Sequence, residues 1–168
     1  ENIMELFFGG KYDPNSHKDI FICNVGHKDN EGNAIRRKLF TNSTDLLTSN
    51  INNLHTNVWQ IFMIGTGQDK YPVIYNTATQ TYIGKPTIEG GVATVKMTPN
   101  IDEAGIWKFP IKDTDILSNS TTVNTKTLIE SYELPKYYLT LQNPNAIVLD
   151  FAHFESDDEA LQHPGTLW

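Results

Sequence analysis

Short apolar stretches separated by turn residues run along most of the chain, and they predict β-strands. The stretch Val92 to Met97 alternates between apolar and other side chains, and Glu89-Gly90-Gly91 directly before it is typical of a tight hairpin turn. No long stretch repeats its apolar positions with the period of an amphipathic helix. The pattern therefore predicts a domain made of strands and hairpins.

Three stretches share a more specific pattern, in which an apolar strand leads to an asparagine, a turn and a second apolar strand. The asparagines are Asn24, Asn76 and Asn143. A tryptophan follows each unit further along the chain, and these are Trp59, Trp107 and Trp168. A recurring pattern indicates repeated structural units, and the uneven spacings are expected if loops carry insertions while the strands keep a common frame. We interpret the chain as three units of roughly 50 residues, with the segment 113–133 as the largest insertion.

The segment 39–54 carries apolar residues but is rich in Thr, Ser and Asn and has poor helical periodicity. We expect a loop with a single helical turn there. The acidic run between Glu155 and Glu159 lacks the glycine and the regular alternation of a Ca²⁺ loop, and we expect a solvated loop.

Composition supports the strand interpretation. The chain of 168 residues contains 18 Thr, 16 Ile and 16 Asn but only 7 Ala. β-branched residues pack well on a pleated surface, asparagine favours turns, and alanine is the best helix former. The sequence predicts one all-β domain over residues 1–168.

The charge balance narrows the range of partners. Acidic residues outnumber basic ones by 20 to 13, which gives a formal charge of -7. Nucleic-acid binders carry a clustered basic face, and the densest basic run here is only Arg36-Arg37-Lys38, which we expect to be solvated. No apolar run approaches the roughly 18 to 20 residues that cross a bilayer. We expect no nucleic-acid partner and no membrane insertion.

The repeats resemble the ricin B-type β-trefoil family, which includes small fungal lectins. Each repeat of that family ends in Gln-x-Trp, and this sequence keeps the tryptophan three times and the glutamine never. The matching positions are Asn57-Val58-Trp59, Gly105-Ile106-Trp107 and Thr166-Leu167-Trp168. The resemblance implies a β-trefoil with pseudo-threefold repeats at about 19–59, 60–107 and 108–168. The third repeat is short, so either Trp168 does not close a repeat or the final strand is missing.

The resemblance implies a non-catalytic binding protein, first of all a lectin whose partner is a glycan or glycoprotein. A ricin-type site uses an Asp after the second strand of a repeat, a stacking aromatic and a polar amide. Only the third repeat keeps the carboxylate, at Asp150. The expected carbohydrate-binding residues are Asp150, His153, Phe154 and Gln162, with His163 as a further polar partner. Carboxylate hydrogen bonds would fix sugar hydroxyls, and an aromatic ring would contact the apolar face of the sugar.

The alternative implied by the resemblance is a protease inhibitor of the fungal mycocypin type, which would bind a protease through rigid surface loops. The candidate loops are 11–17, 65–70, 100–105 and 113–133. We expect no enzyme, because the sequence has no Gly-x-Ser-x-Gly elbow, no His-Glu-x-x-His and no phosphate-binding glycine loop. The five histidines are scattered and the one cysteine is Cys23, so we expect neither metal nor cofactor.

Two glycosylation sequons begin at Asn42 and Asn119. Sequons are frequent by chance in a chain rich in Asn and Thr, but they are compatible with secretion. Secretion is therefore slightly favoured over a cytoplasmic location.

Overall fold

The computed structural model describes residues 19–50, 55–66, 69–110 and 126–168. Almost all regular structure in these parts is β-strand, and the strands pair in an antiparallel manner. The all-β prediction is therefore confirmed. The division into three repeats at 19–59, 60–107 and 108–168 stays a prediction.

Twelve short strands, one short helix and three 3₁₀ turns make up the described fold. The strands are β1 Lys38–Thr41, β2 Leu46–Ser49, β3 Trp59–Thr66, β4 Asp69–Asn76, β5 Thr81–Ile83, β6 Thr87–Glu89, β7 Val92–Thr94, β8 Met97–Thr98, β9 Trp107–Lys108, β10 Glu130–Ser131, β11 Tyr137–Thr140 and β12 Asp150–His153. The helix α1 is Asp157–Leu161, and the 3₁₀ turns are His55–Asn57, Ile101–Glu103 and Pro164–Thr166.

The strands form three sheets. One is the hairpin β1–β2, the second has the order β3-β4-β5-β8, and the third has the order β6-β7-β12-β11-β10-β9. Isolated bridges join the segment before β1 to these sheets, including Ile20 with Trp59 and Cys23 with Lys38. Strands distant in sequence therefore meet in space, as β7 and β12 do through Ala93 and Phe151.

One hydrophobic cluster runs from Ile22 to Trp168 and contains all three tryptophans. Trp59, Trp107 and Trp168 expose 0%, 2% and 4% of their surface. All three are therefore core residues. Trp107 also stacks on Phe151, with ring centroids 5.4 Å apart and an interplanar angle of 19°.

The first and third parts of the chain repeat one arrangement of hydrogen bonds. Ile20 and Trp59 exchange two main-chain bonds, and Thr127 and Trp168 exchange two as well. The indole of Trp59 donates to the Leu39 carbonyl at 2.9 Å. The indole of Trp168 donates equivalently to the Leu139 carbonyl at 3.0 Å. Trp168 and Trp59 therefore make the same set of hydrogen bonds, and the place of Trp168 at the end of a repeat stays a prediction.

The middle part of the chain departs from this arrangement. The indole nitrogen of Trp107 is buried and has no hydrogen-bond partner within the described ranges. The stacking on Phe151 and the apolar surroundings hold this side chain without the bond that the other two tryptophans make.

The three asparagine turns are only partly equivalent. Asn24 and Asn76 are buried, and their amides donate to main-chain carbonyls of Gly165 and Thr56 respectively. Asn143 is exposed, and its side chain accepts only from the nearby Asn145 amide. The expectation of three equivalent turns is therefore wrong for Asn143.

Two local expectations were wrong because paired strands and caps override weak periodicity. Residues 38–49 form the hairpin β1–β2 with Leu39 and Leu46 buried, instead of a loop with one helical turn. The acidic run forms the start of α1 rather than a loop. Ser156 caps this helix by accepting from the Glu159 amide, and carboxylates are favourable in the first turn of a helix.

The basic run is not fully solvated either. Arg37 exposes only 9% of its surface and donates to the hydroxyl and the carbonyl of Thr48. Burial lowers the pKa of its guanidinium. Arg36, the residue before it, has a left-handed backbone conformation with a φ of 61°.

The hairpin predicted at Gly90-Gly91 is confirmed. These glycines join β6 to β7 with φ values of 60° and 80°. Positive φ at both turn positions is the geometry that matches the twist of a two-residue hairpin, and glycine adopts it without strain.

Truncation of the buried tryptophans tests the core. Trp59→Ala and Trp107→Ala should each lower the free energy of unfolding by about 3–5 kcal/mol, since each leaves a large cavity. Replacement by phenylalanine should lower the free energy of unfolding by different amounts at the two positions. Trp59→Phe should cost about 1 kcal/mol more than Trp107→Phe, because only the former leaves a buried carbonyl without its donor. Urea unfolding measures both, and equal costs for the two phenylalanine variants would contradict the assignment.

Candidate functional site

Asp150 lies at the start of β12, opposite Thr140 of β11. Leu149 before it and Phe151 after it are buried in the core, so Asp150 points away from the core. Its carboxylate accepts from the Gln142 amide, at 3.0 Å to Oδ1 and 3.2 Å to Oδ2. The carboxylate is thus held in one orientation by a neutral donor while keeping further acceptor positions.

His163 is the second polar group of this region. It caps the 3₁₀ turn Pro164–Thr166, and its Nδ1 accepts from the Gly165 amide at 2.9 Å. Because Nδ1 accepts, the proton of the neutral ring is on Nε2, which is then a hydrogen-bond donor. Burial lowers the pKa of His163, the neighbouring His27 lowers it further, and the carboxylate of Asp150 opposes both effects.

His27 connects this region to the first part of the chain. Its Nε2 donates to the Leu141 carbonyl at 2.7 Å, and its ring meets that of His163 edge-on at 6.5 Å between centroids. The main chains of the two segments also approach each other closely here, since a Cβ on Gly26 would lie 1.9 Å from the Pro164 carbonyl oxygen. A Cβ on Gly165 would lie 1.9 Å from the Leu141 oxygen. The turn that holds His163 is therefore fixed from both sides.

Phe154 packs partly into the protein instead of lying open. Its ring contacts Tyr138 and His163 edge-on, each at 5.9 Å between centroids. With Leu128, Tyr138 and Ala160 it forms a small second apolar cluster. Tyr138 donates through its hydroxyl to Asp157 of α1, and burial together with that bond raises its pKa. Phe154 thus packs between this apolar cluster and the His163 ring.

The remaining two predicted residues lie apart from Asp150. His153 falls on the other face of β12, because three positions along a strand reverse the side-chain direction. It contacts Tyr137 at 5.1 Å between centroids. Gln162 is exposed at the end of α1, where its main-chain N–H donates to the Glu159 carbonyl. His163 contacts the ring of Phe154 and is near enough to Asp150 for the carboxylate to affect its pKa, and the predicted roles of all these residues stay predictions.

Gln142 is a residue of the candidate site that sequence reasoning missed. The register of the β11–β12 hairpin, which pairs Thr140 with Asp150, provides the signal that could have found it. Continuing that pairing outward brings Gln142 beside the carboxylate. The apolar pattern alone places the two strands at 137–143 and 146–150, whereas the structure has them at Tyr137–Thr140 and Asp150–His153, so the pattern did not provide this register.

Of the loops considered for an inhibitor, 11–17 lies outside the described residues, as do 67–68 of the loop 65–70 and most of 113–133. The loop 100–105 is described and ordered by local bonds. Asn100 accepts from the Asp102 amide, and Gly105 donates to the Ile83 carbonyl. It forms a rigid surface turn that exposes Ile101.

Within the parts of the chain that the structure describes, no three or more metal-ligating side chains cluster together. In the same parts, no helix is both long and apolar enough to span a membrane.

Comparisons with known proteins identify a similar fold and no family. No protein-family model matches the chain, and no curated protein matches it. A GlcNAcα1-4Gal releasing endo-β-galactosidase from Clostridium perfringens is similar in structure, with a TM-score of 0.54 and 13% identical residues. The match covers 89% of this chain and 31% of the enzyme, so this chain spans about a third of that protein's length. At this identity the likeness concerns the fold.

The histidine cap leads to a pH prediction. His163 has a lowered pKa in the folded protein, so its contribution to stability is present above the ordinary histidine pKa of 6.5. That contribution should be lost as the pH falls from 6.5 through the folded-state pKa, because the protonated Nδ1 no longer accepts from Gly165.

His163→Asn is the matched variant. Asparagine accepts at a helix N-cap in the same way but does not titrate. The variant should unfold at a similar urea concentration at pH 7.5 and lose less stability than the wild type between pH 6.5 and 5. Parallel losses in the two proteins would contradict the role of His163.

Proposed function

We propose that the chain is a non-catalytic carbohydrate-binding module with a β-trefoil fold. The matched tryptophan closures of the first and third parts support the trefoil, since both parts use the same main-chain pair and the same indole bond. The buried Trp107 supplies the corresponding side chain in the middle part. The ligand is a glycan or the glycan of a glycoprotein.

The geometry around Asp150 carries the proposal. Gln142 orients the carboxylate, and sugar hydroxyls donate to its remaining acceptor positions. The neutral His163 ring offers an Nε2 donor on the same side of the protein. The Phe154 ring packs edge-on against the His163 ring. An acceptor and a donor held on one surface suit neighbouring hydroxyls of a sugar, each of which both donates and accepts.

The site is suited to binding rather than to hydrolysis. Cleavage of a glycosidic bond normally uses two carboxyl groups that face each other across the bond, one as acid and one as base or nucleophile. Among the described residues, the polar groups found to interact with Asp150 are an amide and an imidazole. The carboxylate therefore serves as a hydrogen-bond acceptor for an intact sugar.

Substitution of Asp150 tests the proposal. Asp150→Asn removes the charge-assisted bonds and should weaken glycan binding about 10- to 100-fold. It should leave the melting temperature unchanged within about 2 °C, because the side chain is at the surface. Binding is measured on a glycan array and then by calorimetry with the glycans that the array identifies.

Asp158→Asn is the matched control, since it removes the same charge from an exposed position on α1. This variant should bind as the wild type does. An array without any signal above background would overturn the carbohydrate proposal, and release of free sugar from a bound glycan would overturn the non-catalytic part of it.

A further inference from the structure

A row of side chains crosses the outer face of the β3-β4-β5 sheet, at a distance in sequence from Asp150. The register pairs Gln60 with Tyr75 and Tyr75 with Tyr82. The antiparallel bridge between Ile20 and Trp59 places Asp19 beside Gln60. The row therefore reads Asp19, Gln60, Tyr75, Tyr82, and at roughly 4.8 Å between neighbouring strands it is about 14 Å long.

The first half of the row is polar. The Gln60 amide donates to Asp19 Oδ1 at 2.7 Å, and Asp19 is exposed. This is the same pairing of glutamine and aspartate as in Gln142 and Asp150. In both cases a neutral amide orients the carboxylate, which keeps further acceptor positions for a ligand.

The second half of the row is aromatic. Tyr75 and Tyr82 lie 4.8 Å apart between ring centroids, and Phe62 on the same face lies 5.9 Å from Tyr75 and 6.0 Å from Tyr82. All three side chains are half-buried, with part of each ring at the surface. The mutual contacts fix the rings in place, which lowers the entropy cost of using them as a binding surface.

Of the five residues Asp19, Gln60, Phe62, Tyr75 and Tyr82, only Asp19 is charged. Burial and the neighbouring Tyr75 raise the pKa of the Tyr82 phenol, so this hydroxyl stays protonated and able to donate. Each tyrosine then offers an apolar ring and a polar hydroxyl. A sugar presents the same combination, with an apolar face of C–H groups and a rim of hydroxyls.

We propose that the row Asp19-Gln60-Tyr75-Tyr82, with Phe62 beside it, is a second carbohydrate site that takes a short neutral oligosaccharide. The carboxylate of Asp19 accepts from hydroxyls of one sugar unit, and the tyrosine rings pack against the next units. The length of the row suits an oligosaccharide better than a single sugar. The carboxylate and the formal charge of -7 disfavour sialylated or sulfated chains.

This proposal extends the carbohydrate binding proposed above to a separate surface that shares no residue with the Asp150 site. The two can therefore be tested independently. Nuclear magnetic resonance of the labelled full chain separates them, because the Gln60 side-chain amide and the Tyr75 and Tyr82 rings report one site, while the Gln142 amide and the His163 ring report the other.

The probes are chitotetraose, cellotetraose and lacto-N-neotetraose, with the sialylated form of the last as the anionic comparison. At least one neutral probe should shift the Gln60 and tyrosine signals in a saturable manner, and the sialylated form should bind more weakly. Asp19→Asn should reduce the affinity read from these signals about tenfold. Tyr82→Val, which keeps a strand-forming residue, should reduce it as well.

Asp158→Asn and Asp150→Asn should leave the affinity at Gln60 and the tyrosines unchanged. Shifts confined to Gln142 and His163 would overturn the second site while supporting the first, and shifts confined to Gln60 and the tyrosines would do the reverse. If no probe shifts either group, the second site is overturned together with the proposed function. An unchanged spectrum of Asp19→Asn without ligand shows that its fold is intact.

Discussion

The bond from a buried indole to a strand carbonyl organises this fold. A buried carbonyl without a donor costs free energy, and Trp59 and Trp168 supply that donor to Leu39 and Leu139 from positions 20 and 29 residues away. The same tryptophans pair through their main chains with Ile20 and Thr127. Each bond therefore ties the end of a segment both to its beginning and to its middle.

Both candidate sites follow directly from these closures. Trp59 begins β3, so Gln60 comes next on the outer face, beside Asp19. Trp168 fixes the segment that contains the Pro164–Thr166 turn, and this turn holds His163. In each case a buried residue sets the position of the exposed polar group that follows or precedes it. The amide partners of the two aspartates also matter, because a neutral amide donates fewer hydrogen bonds than a bidentate arginine and does not neutralise the carboxylate, which therefore keeps acceptor positions for a ligand.

The sequence was sufficient wherever a local rule decided the structure. Gly90-Gly91 specified a hairpin because both positions need positive φ, and the three tryptophans were recognisable as core by size and recurrence. The hairpin 38–49 was missed because its strands are four residues long and their partners lie across a polar turn. Asn143 matches Asn24 and Asn76 in sequence. Among the described residues, however, no carbonyl of a neighbouring segment accepts from its amide, whereas Gly165 accepts from Asn24 and Thr56 accepts from Asn76.

The candidate sites were less predictable for a related reason. Asp150 could be found from its position after a strand, but Gln142 and His163 join it only through the hairpin register and the closing turn. Asp19 and Gln60 are 41 residues apart and meet only because Ile20 pairs with Trp59. Contacts of this kind depend on tertiary pairing, which periodicity and composition do not encode.

The close approach at Gly26 and Gly165 limits how this protein can diverge. At each position a single added carbon would overlap a carbonyl oxygen of another segment, and those oxygens belong to backbone that is itself hydrogen-bonded. Surface residues that contact a ligand can be exchanged as specificity changes, whereas these two positions accept no side chain at all. A pair of glycines, one two residues after a buried asparagine and the other three residues before a final tryptophan, is therefore a better signature for finding distant relatives than any residue of the binding surfaces.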